Sequence, residues 1–482
     1  MLRSPLLVVL FLLVSCAPGE APDAESELES RISQIENGLI ASLQIKGKPK
    51  EYFNLDERLA ELGIPGLSVA FASNGEIEWA RAYGMADVSD NKPMTTASYL
   101  LAGSISKPLA AVRSLQLVED EVFNLDDNVN DYLTSWQVPD NDFTATEKVT
   151  LRRILNHTAG LTVWGFPGYD NGDEIPTVVE VLDGKGNTDP VRVFRQPGQA
   201  WQYSGGGYTI MQLAIADTEN VDFAQSMKEN VLEPMRMPGS TYENPLPVEL
   251  HGIAATGYRE NGDEVEGKWP IYPEMAAAGL WTMPSELIQY GIEIQRVMQS
   301  GQDGILSYET VYEMLDAESD THGLGPSVQD HTFGHGGADE GFRAQLLAWK
   351  NQPFAVAVMV NSDNGKIIRE LLLSIANEYG LPGIDPVVRE IAEMPPEDLQ
   401  KLVGRYELAD IGVFDIVVDG SRLKFSGVDF DYTAWLYPQS DRVFFRSETG
   451  SLLTFEFEDG VATGFESQGS RAVRLDHPSP TP

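Results

Sequence analysis

The order of apolar and polar residues predicts a β hairpin near the start of the chain. Residues 66–71 and 76–81 are both β-favouring, and apolar residues alternate with polar ones in the second run. Asn74-Gly75, which separates the runs, is a favoured two-residue turn because both residues tolerate a positive φ. The pattern therefore predicts two antiparallel strands joined by a tight turn.

Apolar residues at helical spacing fill much of the sequence between this hairpin and a second pair of β-favouring runs, residues 342–349 and 354–360. Strands at both ends that return to one sheet around a helical insert describe two lobes. We therefore predict an α/β lobe, with an antiparallel sheet and flanking helices, and a helical lobe. The predicted helices cover residues 28–43, 104–119, 149–156, 208–218 and 366–379.

A change in composition predicts a linker at residues 381–397, where four prolines interrupt any regular pattern. Short alternating apolar runs follow, separated by glycine-containing turns. They predict a small antiparallel β barrel over residues 398–476. The predicted barrel strands are residues 414–418, 422–425, 442–446, 452–457 and 461–465.

The first 16 residues are typical of an exported bacterial lipoprotein. Arg3 precedes an apolar run that is too short to span a bilayer as a permanent helix. Cys16, the only cysteine, ends a segment similar to the lipobox, in which cleavage precedes a lipidated cysteine. We expect a signal peptide at 1–15 and an acidic tether at 16–30. Because no aspartate follows Cys16, a Gram-negative lipoprotein would face the periplasm from the outer membrane. An ordinary secretory signal is the alternative.

The chain is strongly acidic, with 73 Asp and Glu residues against 34 Lys and Arg residues and a formal net charge of −39 over 482 residues. Such a surface repels nucleic acid, which is therefore not an expected partner. The charge is typical of a solvated, aggregation-resistant surface, with an acidic face for cationic partners as the alternative. The sequence leaves the oligomeric state open.

Ser104 and Lys107 form an S-x-x-K pattern at the predicted start of a helix. A three-residue offset puts both side chains on one helical face, about one turn apart. A serine hydroxyl is a poor nucleophile at neutral pH unless a neighbour takes its proton, and a lysine held beside it can do so. One such match by chance is expected in a chain of this length, so its weight depends on further motifs.

A tyrosine at a glycine-rich bend is the second candidate element. Tyr203 precedes Ser204 and a glycine triplet at 205–207, and such a bend can place a phenol in a cleft. Beside a lysine ammonium, a phenol can act as a base. A packing tyrosine next to a loose turn is the alternative. A phosphate cradle is disfavoured because no Lys-Ser/Thr pair follows the glycines.

The third element is His335-Gly336-Gly337-Ala338. Bare glycines on an edge strand let a substrate lie against the backbone. They also leave the Ala338 N–H free to complete an oxyanion hole. A lone histidine before glycines is otherwise more often structural.

In this order and spacing, the three elements resemble the motifs of the serine β-lactamase and penicillin-binding-protein superfamily. The most similar branch contains class C-like relatives such as family VIII carboxylesterases and D-aminopeptidases. Residues 157–161, His-Thr-Ala-Gly-Leu, are similar to the family's H-T-S-G-L segment, in which we expect His157 to be structural. The resemblance implies a two-lobe β-lactamase-like domain over residues 31–380, without metal or cofactor. The C-terminal domain resembles the lipocalin-like barrels appended to some members.

The resemblance also implies roles for individual residues. Ser104 would be the acylated nucleophile, and Lys107 and Tyr203 would share the proton transfers, with the first acceptor left open. The backbone N–H groups of Ser104 and Ala338 would bind the oxyanion. Further substrate-binding residues would be His335, Gly336 and Gly337.

Two positions depart from the family pattern. Gly205 occupies the third position of the Y-x-N motif, which removes an amide that contacts lysine and substrate in β-lactamases. His335 replaces the lysine of K-T-G, and a mostly neutral imidazole holds a substrate carboxylate weakly. Both departures disfavour an efficient β-lactamase. We expect Arg343 to form a structural ion pair, with a substrate-carboxylate contact as the alternative.

Other chemistry-bearing residues are weaker candidates. Residues 362–364, Ser-Asp-Asn, match a class A motif in the wrong order, so we expect a turn or cap. His331 and His335 are four residues apart, but the surrounding glycines disfavour a helix and hence a zinc pair. Trp164 and Tyr169 either line the cleft or pack in the core.

These observations predict a serine hydrolase that forms an acyl-enzyme at Ser104. Its expected substrate is a small ester, amide or D-amino-acid peptide in the cell envelope. The alternative is a non-catalytic envelope lipoprotein that binds peptidoglycan or peptides through the same cleft. Gly205 and His335 favour the alternative, whereas the intact serine, lysine and tyrosine favour the enzyme.

Overall fold

The computed structural model of the protein describes residues 24–317, 321–408, 411–430, 432–467 and 469–475. The predicted signal peptide, Cys16 and the first part of the predicted tether lie outside these residues. The α-helices of the described chain are α1 (Ala24–Glu36), α2 (Leu55–Leu62), α3 (Ser106–Glu119), α4 (Leu151–Leu155), α5 (Val178–Leu182), α6 (Gly205–Glu219), α7 (Phe223–Met227), α8 (Met275–Ala278), α9 (Pro284–Ser300), α10 (Tyr308–Met314), α11 (Lys366–Tyr379) and α12 (Pro396–Gln400).

The strands that precede the barrel domain are short except in the main sheet. They are β1 (Leu39–Ile40), β2 (Leu43–Ile45), β3 (Tyr52–Phe53), β4 (Gly66–Ser73), β5 (Glu76–Asp87), β6 (Lys92–Pro93), β7 (Leu100–Leu101), β8 (Trp281–Thr282), β9 (Ser327–Val328), β10 (Thr332–Asp339), β11 (Phe342–Trp349), β12 (Phe354–Val360) and β13 (Val387–Arg389).

Seven strands form one antiparallel sheet in the order β6-β5-β4-β12-β11-β10-β9. At the centre of the sheet, β4 from the early part of the sequence pairs with β12 from the late part. Val69 lies opposite Val358 in this pair. The predicted hairpin is β4–β5, with Asn74 and Gly75 at positive φ of 54° and 81°. The predicted strands at 342–349 and 354–360 are β11 and β12. The predicted α/β lobe is confirmed.

The alternating residues of the sheet explain how its two faces are covered. Leu67, Val69 and Phe71 of β4 point to one face and pack with α1, α2 and α11 in one apolar cluster. The intervening Ala70 and Ala72 belong to the cluster on the other face, which includes α9. These small side chains allow α9 to approach closely, and a Cβ added at Gly291 of α9 would lie 3.1 Å from the Cβ of Ala348.

The helical lobe lies on the α9 face of the sheet and is built around α3 and α6. Both helices are apolar on nearly all sides, and such helices are stable only when they are surrounded by protein. Both pack against the short helix α8. This central packing brings the N-terminal ends of α3 and α6 to the same cleft at the edge of the sheet.

The N-terminal segment differs from the sequence prediction. Helix α1 begins at Ala24, inside the predicted tether, and ends at Glu36 rather than near residue 43. After it the chain turns into β1, where Ile40 N–H donates to Ser374 Oγ of α11 at 2.8 Å. The following strand β2 pairs in parallel with β13, which lies within the predicted linker. These non-local partners override the local helical pattern.

The C-terminal domain is a closed antiparallel barrel whose eight strands follow one another around the ring. The predicted barrel is thus confirmed, although three of its strands were not predicted. Aromatic side chains, including Phe425, Phe455 and Phe465, fill its interior. No helix of the described residues is both long and apolar enough to cross a membrane. The barrel strands are β14 (Gly404–Leu408), β15 (Gly412–Asp419), β16 (Arg422–Gly427), β17 (Thr433–Pro438), β18 (Val443–Arg446), β19 (Leu452–Glu458), β20 (Val461–Ser467) and β21 (Ser470–Arg474).

Candidate active site

Ser104 and Lys107 meet at the N-terminal end of α3. Ser104 lies in a 3-10 turn, Gly103–Ile105, so the α-helix itself begins two residues later than the sequence predicted. Lys107 is only 2% exposed, and its Nζ donates hydrogen bonds to Ser104 Oγ at 3.0 Å and to Ala277 O at 2.8 Å. Because a buried ammonium needs partners, these two oxygens fix the lysine next to the serine hydroxyl.

Strand β10 passes directly beside this turn. Gly103 has a φ of 54°, and a Cβ at this position would lie 2.5 Å from Ala338 N. A Cβ at Gly337 would lie 1.9 Å from Ala102 O. Because neither glycine has a side chain, the backbone of the turn before α3 packs directly against the backbone of β10. The N–H groups of Ser104 and Ala338 belong to these adjoining segments.

This packing gives Gly336 and Gly337 of β10 different surroundings. The sequence suggested that bare glycines leave room for a substrate, but the space beside Gly337 is occupied by the Ala102 carbonyl. Gly336 faces outward, where a Cβ would meet only Gln345 Oε1 at 3.3 Å. From Gly336 to Asp339, β10 pairs with β11 on one side only, as expected for an edge strand.

Tyr203 lies just before α6 and lines the same cleft as Ser104 and Lys107. Lys107 Nζ is 5.0 Å from the centre of its ring. The next residue, Ser204, caps α6 by accepting a hydrogen bond from Gly207 N–H at 3.1 Å. The structure therefore brings the three predicted catalytic residues into one cleft, at the ends of two buried helices.

The glycine triplet after Tyr203 serves packing within the protein. A Cβ at Gly205 would lie 3.0 Å from Phe166 Cε2 and 3.2 Å from Trp164 O. A Cβ at Gly206 would lie 3.0 Å from Thr162 O. A side chain at position 205 would therefore require the loop that contains Phe166 to shift by a few tenths of an ångström. The departure from Y-x-N thus lies where this loop packs closely, and Lys107 Nζ has Ala277 O as a hydrogen-bond partner.

Three histidines surround Tyr203, at ring-centre distances of 4.2 Å for His157 and 6.0 Å for both His322 and His335. Burial and the nearby Lys107 lower the pKa of His335 to about 3 and that of His322 to about 4. Burial also lowers the pKa of His157. All three rings are therefore neutral near pH 7, and His335 supplies no cation.

The contacts of His157 and His335 specify their tautomers. His157 Nδ1 accepts a hydrogen bond from Ser204 N–H at 3.2 Å, so its proton is on Nε2. His335 Nδ1 lies 2.6 Å from Gly336 O and must carry its proton there. His157 thus orients the residue after Tyr203, as expected for a structural histidine. Sequence reasoning missed His322, which lies in no motif and reaches the site only through the fold.

The cleft that contains Ser104 has a volume of about 790 Å³. Arg343 forms an ion pair with Asp363 at 2.9 Å and donates to Asp339 O at 2.6 Å. Arg259 pairs with Glu340 at 2.6 Å. The expected structural ion pair of Arg343 is present, and Arg259 and Arg343 are both already paired with carboxylates.

Two buried acids beside the cleft were also missed by sequence reasoning. Glu274 is 0% exposed and Asp339 is 5% exposed, and burial raises the pKa of each carboxyl to about 8. Asp339 accepts a hydrogen bond from Gly103 N–H, next to the candidate nucleophile. Within the described ranges, no three His, Cys, Asp or Glu side chains are arranged to hold a metal ion.

The residues expected to form a turn or cap, 362–364, do so. Asn364 Oδ1 accepts from Lys366 N–H at the start of α11, and Ser362 Oγ accepts from Asn364 N–H. Asp363 pairs with Arg343. Of the two aromatic candidates, Trp164 lines the cleft and is 75% exposed, whereas Tyr169 is buried.

A seven-stranded antiparallel sheet with a helical lobe, and a cleft between them, define a β-lactamase-like fold. A sequence model of the Beta-lactamase family matches residues 54–376, and the chain belongs to this family. It is 21% identical to penicillin-binding protein 4* of Bacillus subtilis over 87% of this chain and 96% of that protein. It is 23% identical to the teichoic acid D-alanine hydrolase of Staphylococcus aureus over 52% of this chain and 59% of that protein.

A solved structure with the same fold is the D-amino acid amidase of Ochrobactrum anthropi SV3, bound to L-phenylalanine amide. The TM-score is 0.55 at 21% identity, over 73% of this chain and all of that one. The fold shared with these proteins covers the region predicted from the S-x-x-K, tyrosine and H-G-G elements. The family assignment made from those motifs is confirmed.

Proposed function

We propose that the protein is a serine hydrolase that forms an acyl-enzyme on Ser104. The observation that carries this proposal is the 3.0 Å hydrogen bond from Lys107 Nζ to Ser104 Oγ, in a cleft that Tyr203 also lines. A nucleophile held beside an amine and a phenol has the groups needed to remove and return a proton. The family to which the chain belongs is generally hydrolytic.

In the proposed reaction, Ser104 Oγ attacks the substrate carbonyl carbon and forms a C–O bond. Lys107 and Tyr203 share the proton transfers, and Tyr203 is the better candidate for the base because its ring lies beside the lysine side chain in the same cleft. The N–H groups of Ser104 and Ala338 bind the developing oxyanion. The leaving group departs with the proton, and water then releases the acid and restores the serine.

The proposed substrates are small esters, amides or D-amino-acid peptides. His335 is neutral and Arg343 is ion-paired, so neither residue offers a free cation to a substrate carboxylate. This arrangement disfavours the efficient β-lactamase reaction. The names of the D-alanine hydrolase and D-amino acid amidase relatives support hydrolysis at a D-amino acyl group.

The test is covalent labelling with a fluorophosphonate probe, located by mass spectrometry of the intact chain and its peptides. We expect label on Ser104 in the wild type and none in Ser104→Ala. Ser300→Ala, at the exposed end of α9, is the matched control and should label normally. Tyr203→Phe should lower turnover of a short ester by roughly 10²–10⁴-fold. Equal labelling of wild type and Ser104→Ala would contradict the proposal.

The second candidate is a non-catalytic protein that binds peptidoglycan or peptides in the same cleft. It is favoured by Gly205 and by the neutral His335, which both remove substrate contacts that the β-lactamase motifs provide. Under this alternative, cell-wall peptides bind to wild type and to Ser104→Ala with equal affinity, and neither protein turns over an ester.

We further propose that the mature protein is a lipoprotein of the cell envelope, anchored through Cys16 and facing the periplasm. The apolar run and the sole cysteine at residues 1–16 support this proposal. Incorporation of labelled fatty acid into the wild type, but not into Cys16→Ser, is the expected result. Equal incorporation into both would contradict lipidation at this residue.

A further inference from the structure

One wall of the candidate active-site cleft is apolar and continues directly from Ser104 and Lys107. We call it the apolar wall: Trp164, Phe166, Pro167, Ala277 and Ala278. Trp164 is 75% exposed. A large aromatic side chain left open to solvent at the mouth of a concave site is the type of surface that binds an apolar ligand group.

The loop that contains Trp164 and Phe166 is held in an unfavourable backbone conformation. Val163, directly before Trp164, has a φ of 62°, which is a rare value for a β-branched residue. Its carbonyl accepts hydrogen bonds from Ser204 Oγ at 3.2 Å and from Gly206 N–H at 3.0 Å. Such strain persists only where the surroundings over-determine it, and it concentrates at functional sites.

The same loop is packed against the segment that contains Tyr203. Gly205 N–H donates to Trp164 O at 3.1 Å. Because Gly205 has no side chain, the Phe166 ring packs closely against its backbone. Trp164 and Phe166 are therefore positioned by the residues that follow the candidate base. The backbone of this loop is held by these contacts before any substrate arrives, so the main ordering cost on binding is that of the exposed Trp164 side chain.

The opposite side of the cleft offers less to an apolar group. Its arginines are already paired, Arg259 with Glu340 and Arg343 with Asp363, and Asp170 adds a further carboxylate there. Desolvating such pairs is unfavourable, whereas covering the apolar wall removes apolar surface from water. An aromatic or bulky apolar substituent therefore gains more binding energy from the apolar wall than from these paired charges.

We propose that the apolar wall is the substrate subsite for an aromatic or bulky apolar substituent next to the scissile carbonyl. This inference rests on the proposed serine hydrolase and names the substrate class that it prefers. Esters, amides or peptides with a benzyl-like or large branched substituent are preferred over acetyl or glycyl analogues. Trp164 and Phe166 are the residues that determine this preference.

Boronic acids test the subsite without knowledge of the natural substrate. A boronic acid forms a bond from boron to a serine oxygen, and the serine proton passes to the neighbouring base. Calorimetry should compare 2-phenylethylboronic acid with methylboronic acid on the full chain. We expect wild type to bind the phenylethyl compound at least roughly tenfold more tightly. Trp164→Ala and Phe166→Ala should each reduce that ratio, and Trp164→Phe should restore most of it.

The outcomes separate this inference from the proposed function. Phe143→Ala, an exposed aromatic residue outside the cleft, is the matched control and should keep the wild-type ratio. An unchanged ratio in the Trp164→Ala, Phe166→Ala double variant, or an equal loss for both compounds, would overturn the subsite. Equal binding by wild type and Ser104→Ala, or no binding at all, would instead contradict the serine hydrolase and the inference with it.

Discussion

At the scale of single residues, the buried acids beside the cleft affect both charge and stability. Glu274 and Asp339 lie close enough that the Asp339 charge contributes to the raised pKa of Glu274, although burial is the larger cause. Neither carboxyl oxygen of Glu274 has a hydrogen-bond partner among the described residues. An ionised carboxylate in such a place is strongly unfavourable, so both acids are protonated at neutral pH.

This protonation predicts that stability falls as pH rises. The folded-state pKa of each acid is about 8, well above that of the unfolded chain, so folding retains a proton that the unfolded chain releases. The contribution of each protonated acid to the free energy of unfolding is complete below the pKa of that acid in the unfolded chain. It is lost as pH rises through the folded-state pKa of about 8. Between pH 6.5 and 8, we expect each acid to lower the free energy of unfolding by up to about 1.4 kcal/mol per pH unit.

Glu274→Gln should remove about half of this pH dependence, and the Glu274→Gln, Asp339→Asn double variant should remove most of it. The measurement is urea unfolding at pH 6.5, 7.25 and 8, a window in which the neutral histidines of the cleft do not titrate in the folded state. Parallel curves for wild type and both variants would show that the acids are ionised in the folded protein.

At the scale of elements, the close contact between β10 and the turn before α3 organises the site. Gly103 has a left-handed backbone conformation, and a Cβ at this position would lie only 2.5 Å from Ala338 N. A side chain here would separate the two segments that carry the proposed oxyanion donors. Because those donors act only when both reach one oxygen, their separation affects turnover more than folding.

Gly103→Ala should therefore lower kcat by roughly 10²–10³-fold. Gly301→Ala is the matched control, because Gly301 has a φ of 63° and no described heavy atom within 4 Å of its Cβ position. Both variants place alanine in a left-handed conformation, which costs about 1–2 kcal/mol. Steady-state kinetics on a short ester should show the loss in Gly103→Ala alone. Equal turnover in the two variants would mean that the contact does not organise the site.

The elements that sequence patterns predicted well are those with strong local signals. Strands β11 and β12 and helix α11 have the predicted bounds, because their apolar patterns end at clear turn residues. The N-terminal helix was extended too far, since Leu39 and Ile40 continue the apolar pattern but pair with β3. Barrel strands β14 and β21 were missed because charged residues interrupt their alternation.

The candidate site shows the same division. Ser104, Lys107, Tyr203 and His335 are recognisable because their chemistry is rare at that spacing. Other residues of the cleft come from distant segments that only the fold brings together, and a buried acid has no local pattern that distinguishes it from a surface acid. These are His322, Glu274 and Asp339. The glycines at 103, 205 and 337 became interpretable only when their neighbours were known.

At the scale of the whole molecule, the barrel is joined to the β-lactamase-like domain through the linker and the N-terminal segment. Arg389 Nε donates to Gly450 O at 2.8 Å, and Ala392 N–H donates to Pro438 O at 2.8 Å. A Cβ at Gly450 would lie 2.7 Å from Val387 Cγ1 and 3.0 Å from Leu43 Cδ1. The β2–β13 pair and the β18–β19 turn are thus in direct contact, without room for a side chain.

This contact predicts that a single substitution can uncouple the two domains. In Gly450→Val, a β-branched residue at a φ of 70° would collide with Val387 and separate the turn from β13. We expect calorimetry to change from one thermal transition towards two, because each domain has its own apolar core. Ester turnover should stay within about twofold of wild type, since a change this far from the reacting atoms leaves transition-state contacts intact.

Gly420→Val isolates the effect of the collision from that of backbone strain. Gly420 has a φ of 64° in another barrel turn, and no described heavy atom lies within 4 Å of its Cβ position. Both variants strain a barrel turn, so only Gly450→Val should separate the transitions. Two transitions in both variants would assign the effect to a weakened barrel. A large loss of turnover in Gly450→Val would mean that barrel docking supports the cleft, although the described residues that line it all lie between Ser104 and Asp363.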